Sequence, residues 1–146
     1  MKWSLQQLQK FSSKPLLFDD HIDFSELAKD VNDIIEIKPV HVTGEIMVVK
    51  YGTYKIRYNV DALLILQCAL TLEPVEYHFE KEYVEVFSTE PSDEDFPIEK
   101  NTIDLDNAVW SNIIIDKPLV VTRDDAYDIL KERGIIINET EDDIVD

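Results

Sequence analysis

The strongest constraint on the fold is a regular alternation of apolar and polar residues through the middle of the chain. Segments 40–50, 54–66 and 75–87 each alternate with a period of two, which places successive side chains on opposite faces of a strand. Turn-forming residues separate the segments at 51–53 and 72–74. The pattern therefore predicts an antiparallel β meander of three long strands.

Two irregularities in the alternation carry further expectations. Leu63 and Ile65 make both faces of the second strand apolar near its end, which predicts burial on both sides there. In the third strand the apolar positions change phase before Val84 and Val86. A β-bulge near Lys81 would produce such a change, because a bulge adds one residue to one strand.

Apolar residues at helical spacing predict three helices beside the meander, at about 25–31, 105–115 and 123–133. Asp23 and Glu26 have capping-box spacing at the start of the first helix. Gly134 follows the third helix, where a left-handed cap is expected. The apolar residues between Trp3 and Phe11 fit either a strand or a helical turn. The fold class predicted is α+β.

The length of 146 residues fits one domain. We expect a single α+β domain over residues 1–138, with short strands at 119–121 and 135–137. Residues 139–146 form an acidic tail that is expected to be flexible. The segment 88–101 combines several carboxylates with two prolines, a composition that opposes packing and regular structure. It predicts an exposed acidic loop.

The charge of the chain is strongly unbalanced. Lys and Arg number 14 against 31 Asp and Glu, which gives a formal net charge of −17 at pH 7. Such a surface repels phosphate, so tight unaided binding to nucleic acid is disfavoured, and basic proteins are better partners. The same excess could serve only to keep the protein soluble and monomeric.

The cysteine content and hydropathy bear on the compartment. Cys68 is the only cysteine, so no disulfide can form within the chain. No apolar run approaches the ~20 residues of a membrane span, and the first residues lack the apolar core of a signal peptide. We therefore expect a cytoplasmic protein that does not enter a membrane.

The residues most often used in catalysis form no recognisable site. His21, His41 and His78 lack the spacing of a zinc site, and His41 and His78 alternate with apolar residues, so they are expected to face solvent. Cys68 has apolar neighbours and is expected to be a buried, unreactive thiol. The carboxylates are scattered through loops and tails. We expect no enzyme, metal or cofactor, and a metal-assisted hydrolase is a remote alternative.

One segment has the residue types of a nucleic-acid-binding sheet. Tyr54 and Tyr58 alternate with Lys55 and Arg57, and aromatic rings can stack on bases while cations hold phosphate. In a strand, however, the tyrosines and the cations point to opposite faces, so the tyrosines are expected in the core. Direct contact of RNA with Lys50, Lys55 and Arg57 remains an alternative.

The order of several short motifs resembles the YceD family, the large ribosomal RNA subunit accumulation proteins, in the short form seen in Gram-positive bacteria. The segments that carry the resemblance are 1–8, 39–44, 66–75 and 103–118. The matching positions, for which a structural role is expected, are Gly44, Cys68, Thr71, Leu72, Pro74, Asp104, Leu105 and Pro118. Leu70 replaces the arginine of the family motif Cys-x-Arg-Cys-Leu, and a cysteine-rich segment near the carboxyl end is absent.

The resemblance implies a non-enzymatic factor that is needed for large-subunit ribosomal RNA to accumulate, during ribosome assembly or RNA processing. We hypothesise that the acidic surface binds a basic ribosomal protein or assembly factor, because opposite charges attract at long range. The candidate binding residues are Glu90, Asp93, Glu94 and Asp95. A direct RNA-binding or processing adaptor is the alternative within the same biology.

Overall fold

The computed structural model describes residues 1–92, 94–118, 121, 126–132 and 134. In chain order its elements are β1 (Lys2–Ser4), α1 (Leu5–Leu8), a 3-10 turn (Gln9–Phe11), β2 (Leu16–Ile22), α2 (Ser25–Ala28), β3 (Ile34–Ile37), β4 (Val40–Lys50), β5 (Thr53–Gln67), β6 (Pro74–Ser88), β7 (Phe96–Pro97), β8 (Thr102–Asp104), α3 (Asp106–Asp116) and α4 (Ala126–Glu132). Long strands with short helices make an α+β fold, as the sequence predicts.

The predicted meander is confirmed. β4, β5 and β6 pair as antiparallel neighbours, and their ends lie within one residue of the predicted bounds. They form the middle of a six-stranded sheet with the order β2-β4-β5-β6-β7, while β3 pairs with β5 outside this path. A second sheet joins β1 to β8 near the chain start.

Two strands of the large sheet are not predicted by the sequence pattern. β2 pairs with β4, and three consecutive polar residues, Asp19, Asp20 and His21, hide its alternation. β3 has only four residues and changes register between Ile34 and Glu36. It fits beside β5 because β5 is longer than β4, which leaves the end of β5 open for a further partner.

The bulge predicted near Lys81 is wrong. The pairing of β5 with β6 runs without a shift from Thr53 opposite Ser88 to Gln67 opposite Pro74. Polar residues, not an inserted residue, cause the apparent change of phase. Lys81 and Glu85 occupy the core-facing side of β6, and Val84 lies exposed on the other side.

The large sheet has one covered and one open face. The inner face carries the even-numbered residues of β2, β4 and β5 and the odd-numbered residues of β6, and its buried side chains share a core with Leu5, Leu8, Val109 and Ile113. The outer face carries the alternate residues. Leu63 and Ile65 lie there and are half-buried rather than buried, so the prediction of burial on both sides is wrong: an antiparallel sheet can keep apolar side chains on a face that stays partly in water.

The described helices are short. α2 ends at Ala28, before the predicted 31, and no capping box forms: the Ser25 amide donates to Asp23 at 2.9 Å, while Phe24 caps the helix without a side-chain bond. α3 matches the predicted helix within one residue. At eleven residues it is the longest described helix, and none of those described is long and apolar enough to cross a membrane.

α4 lies within the predicted range 123–133, and Gly134 after it has a φ of 79°, the left-handed cap that was predicted. The Gly134 amide donates to the Lys131 carbonyl at 3.0 Å. The strands predicted at 119–121 and 135–137 and the tail at 139–146 fall, apart from Val121, outside the described residues.

The segment 88–101 is more ordered than its composition predicts. β7 pairs in parallel with the end of β6, and the Phe96 ring stacks on Phe87 with centroids 5.1 Å apart. The Ile98 amide donates to the Ser88 carbonyl at 2.9 Å. Phe96 and Ile98 thus anchor the segment to the core, and Glu90 and Glu94 before them remain exposed.

Candidate functional site

The outer face of the large sheet is built by β2, β4, β5 and β6. It carries the odd-numbered residues between 17 and 21 in β2, between 41 and 47 in β4 and between 53 and 67 in β5. In β6 it carries the even-numbered residues between 74 and 88. Of these, only Ser88 is buried. An antiparallel sheet commonly keeps one face in water in this way, so the outer face is available to a partner.

Carboxylates outnumber lysine and arginine on the outer face. They are Asp19, Glu45, Asp61, Glu76, Glu80 and Glu82. Lys55 and Arg57 are its lysine and arginine, and Arg57 lies opposite Glu45. Tyr54 and Tyr58 lie on the inner face and are buried, as predicted. The cations of this strand are therefore separated from its aromatic rings, and Arg57 has a carboxylate directly opposite it.

The strand register brings the three histidines together on the outer face. His21 lies opposite His41, and His41 lies opposite Asp61, so one row crosses β2, β4 and β5. The His21 and His41 rings stack with centroids 4.5 Å apart. His78 lies on β6, beside this row. Sequence reasoning correctly placed His41 and His78 toward solvent, but it missed this convergence because the pairing of distant strands produces it.

His41 and His78 each form a hydrogen bond with a carboxylate. The distance from His41 Nε2 to Asp19 Oδ1 is 2.7 Å, and the distance from His78 Nε2 to Asp61 Oδ1 is also 2.7 Å. The hydrogen bond to Asp61 and the negative charge of the Asp61 carboxylate both raise the pKa of His78. The ligand atoms of Asp61, His78 and Glu80 lie within 4.8 Å of one another. These three residues could hold a metal ion.

The candidate binding residues of the acidic segment lie beyond the far end of β6. Glu90 and Glu94 are exposed, whereas Asp95 is half-buried and accepts hydrogen bonds from the Ser92 amide at 3.1 Å and the Ser92 hydroxyl at 2.9 Å. Asp93 lies outside the described residues. With about 3.3 Å per strand residue, Glu90 is distant from His78 near the start of β6. The acids therefore occupy two separate regions.

The motif residues around Cys68 build the turn between β5 and β6. Cys68 is buried, and its amide donates to the Glu73 carbonyl at 2.8 Å. The Leu72 amide donates to the Cys68 carbonyl at 2.9 Å, and Leu72 adopts a φ of 64°. The Thr71 hydroxyl accepts from the Glu73 amide at 3.3 Å, and Pro74 begins β6. These contacts show that the motif residues form the turn that reverses the chain between β5 and β6.

The remaining motif positions also hold elements in place. Asp104 accepts a hydrogen bond from the Asp106 amide at 3.1 Å, at the start of α3, and Leu105 is buried. Pro118 follows the end of α3. Gly44 lies where β4 and β5 approach closely: a Cβ there would lie 2.2 Å from the Arg57 carbonyl oxygen.

A polar cluster joins α3 to the inner face of the sheet. Asn112 donates to the Tyr58 hydroxyl at 2.7 Å, and the Tyr83 hydroxyl donates to Asp116 at 2.5 Å. Burial raises the pKa of both tyrosines, so both phenols stay protonated, and the Tyr83 hydroxyl acts as a donor while the Tyr58 hydroxyl accepts. Burial also raises the pKa of Glu85, and a hydrogen bond with Asn112 opposes that shift. The cluster positions α3 and contains no nucleophile paired with a base.

A groove of about 560 Å³ lies between β7, β8 and α3. Its charged lining residues are Lys2, Glu99, Lys100 and Asp104. Neither a histidine nor a cysteine lines it, and those are the side chains that most often act as base or nucleophile near neutral pH.

Comparison with known proteins found one informative relative. No family model matches the chain, and no solved structure matches it. The uncharacterized protein YlbN of Bacillus subtilis (strain 168) is 30% identical over 126 residues, which cover 83% of this chain and 73% of YlbN. The similarity thus extends through most of both proteins. The chain belongs to the same family as YlbN.

Proposed function

We propose that this chain is a non-enzymatic cytoplasmic factor that supports the accumulation of large-subunit ribosomal RNA by binding basic ribosomal or ribosome-assembly proteins. The observation that carries the proposal is the open, carboxylate-lined outer face of the sheet. The ribosomal context comes from the resemblance of the sequence motifs to the YceD family.

The electrostatics favour a cationic polypeptide as the partner. A net charge of −17 attracts positive chains at long range, and complementary charge raises the association rate more than the final affinity. Ribosomal proteins carry many lysines and arginines because they bind RNA. A factor of opposite charge can hold such a protein before it meets its RNA.

The spacing of the carboxylates suits lysine and arginine side chains. Glu76, Glu80 and Glu82 project from the same face of β6, and alternate residues on a strand are about 7 Å apart. Paired arginine and carboxylate groups form short, charge-assisted hydrogen bonds, often two at once. An extended basic segment lying along β6 would meet a carboxylate at several successive positions.

Direct RNA binding is less favoured by the surroundings of the candidate cations. Arg57 lies opposite Glu45. Glu82 lies opposite Asn59, which is two residues after Arg57 on the same face of β5. Carboxylates at these positions repel phosphate and compete for Arg57. Lys50 is exposed at the end of β4, where a register shift pairs it with Thr53.

The binding test uses proteins extracted from purified large ribosomal subunits as the probe. We expect the full chain to retain a subset of them at about 0.1 M salt and to release them as salt rises, since ionic contacts are screened. A Glu76→Gln, Glu82→Gln variant should retain several-fold less. A Glu26→Gln, Asp30→Asn variant removes the same charge from the exposed α2 region and should retain as much as wild type.

Three outcomes decide the proposal. Equal loss in both variants would mean that net charge alone attracts the proteins, and the assignment to the outer face would fail. Retention of no large-subunit protein would contradict the proposal itself. Salt-sensitive retention of ribosomal RNA fragments without protein, lost in Lys55→Gln, Arg57→Gln, would establish the direct RNA alternative instead.

A further inference from the structure

We infer that Asp61, His78 and Glu80 form a binding site for a divalent transition-metal ion on the outer face of β5 and β6. Neither the motif resemblance nor the comparison with YlbN assigns such a site. The inference is independent of the proposed function, because it depends on the geometry of three side chains and requires no protein partner.

The strand register produces the site. His78 and Glu80 are two residues apart on β6, so they project from the same face. Asp61 lies directly opposite Glu80 on β5. The ligand atoms of the three residues lie within 4.8 Å of one another. Metal–ligand bonds of about 2.0–2.2 Å hold donor atoms roughly 3–4 Å apart, so small rotations of exposed side chains would close the site.

The site carries an electrostatic conflict that a cation would relieve. Asp61 and Glu80 place like charges directly opposite each other on paired strands, which is destabilising. Within the described part of the chain, neither carboxylate forms an ion pair with a lysine or arginine. Among the residues that the structure describes, Asp61 pairs with the His78 ring, which is charged only when protonated. A bound dication would neutralise both carboxylates.

The donor set selects the class of metal. One imidazole nitrogen with two carboxylates suits Zn²⁺, Co²⁺ or Ni²⁺, whereas Mg²⁺ and Ca²⁺ prefer oxygen ligands alone. Three protein ligands would leave one position of a tetrahedral ion open to water. His78 is 61% exposed and Asp61 39% exposed, so the ion could enter directly from solvent.

The test is a calorimetric titration of the full chain with Zn²⁺ at about pH 8, where a proton competes less for His78. We expect one saturable site. His78→Asn should weaken binding at least about tenfold, by analogy with the loss when a metal site is perturbed, and Asp61→Asn should have the same direction of effect. His21→Asn, which alters a histidine two strands away from Asp61, should leave the affinity within about twofold.

Spectroscopy with Co²⁺ gives an independent readout. Binding at His78 should produce visible absorption bands that wild type and His21→Asn share and His78→Asn lacks. Absence of saturable binding would overturn the inference. So would binding that His78→Asn leaves unchanged, or weak binding of many ions per chain, because either result would assign the metal to the general acidic surface.

Discussion

Gly44 shows how a single residue permits the strand pairing. It lies on the inner face of β4 opposite Tyr58, and a Cβ there would lie 2.2 Å from the Arg57 carbonyl oxygen and 2.7 Å from the Tyr58 Cα. Both neighbours are backbone atoms of β5, so they cannot move aside as a flexible side chain would. The close approach therefore explains the glycine at this motif position.

We expect Gly44→Ala to lower the free energy of unfolding by about 1–3 kcal/mol, the range for forcing extra volume into a packed site. Urea denaturation measures the change. Asn59→Ala is the matched control, because Asn59 is a neighbouring outer-face residue of β5, and surface changes usually stay within about 0.5 kcal/mol. Equal stability of Gly44→Ala and wild type would show that the strands do not approach so closely.

The sequence predicts which face of the sheet a residue lies on better than it predicts which residues are its neighbours across the strands. Period two correctly places Tyr54 and Tyr58 in the core and His41 and His78 toward solvent. The cluster of Asp61, His78 and Glu80 could not be predicted, because it depends on which residue of β6 lies opposite which residue of β5. A hairpin turn one residue longer or shorter would move every such pair.

At the scale of elements, α3 contacts the sheet through a half-buried carboxylate. Burial raises the pKa of Glu85 above its ordinary value of 4.5. The raised pKa means that the folded protein disfavours the ionised form of Glu85, because burial moves its charge out of water. Its contribution opposes folding at neutral pH, and that opposition is relieved as pH falls through the raised pKa toward the unfolded value.

We expect Glu85→Gln to unfold at a higher temperature than wild type at pH 7, with a difference that shrinks as pH falls toward 4.5. Glutamine keeps the size of the side chain without its charge. Glu82→Gln, on the exposed side of the same strand, controls for the general relief of negative charge. If both variants gain equally, or if Glu85→Gln is less stable at pH 7, the burial of Glu85 is not unfavourable.

Element prediction succeeded where the pattern was long. The bounds of β4, β5 and β6 followed from alternation over ten or more residues, and α3 followed from its apolar stripe. β2 and β3 were missed because edge and short strands need little alternation. The predicted bulge was wrong because Lys81 and Glu85 face α3, and residue type alone did not distinguish a polar contact from a change of phase.

The whole molecule combines a single covered face with a large excess of negative charge. The covered face is filled by aliphatic and aromatic side chains, and the open face carries six carboxylates and the three histidines among apolar and other polar residues. The composition predicted the charge but not its position, because a net value of −17 does not say which face carries it. The fold assigns part of that charge to one accessible surface.

The most direct test of the ribosomal role is sucrose-gradient profiling of a strain that lacks this protein, with probes for immature large-subunit RNA. We predict a deficit of large subunits with immature RNA, restored by wild type and by Glu26→Gln, Asp30→Asn but not by Glu76→Gln, Glu82→Gln. Normal profiles in the deletion strain would contradict the ribosomal role. Full restoration by the outer-face variant would contradict binding through that face.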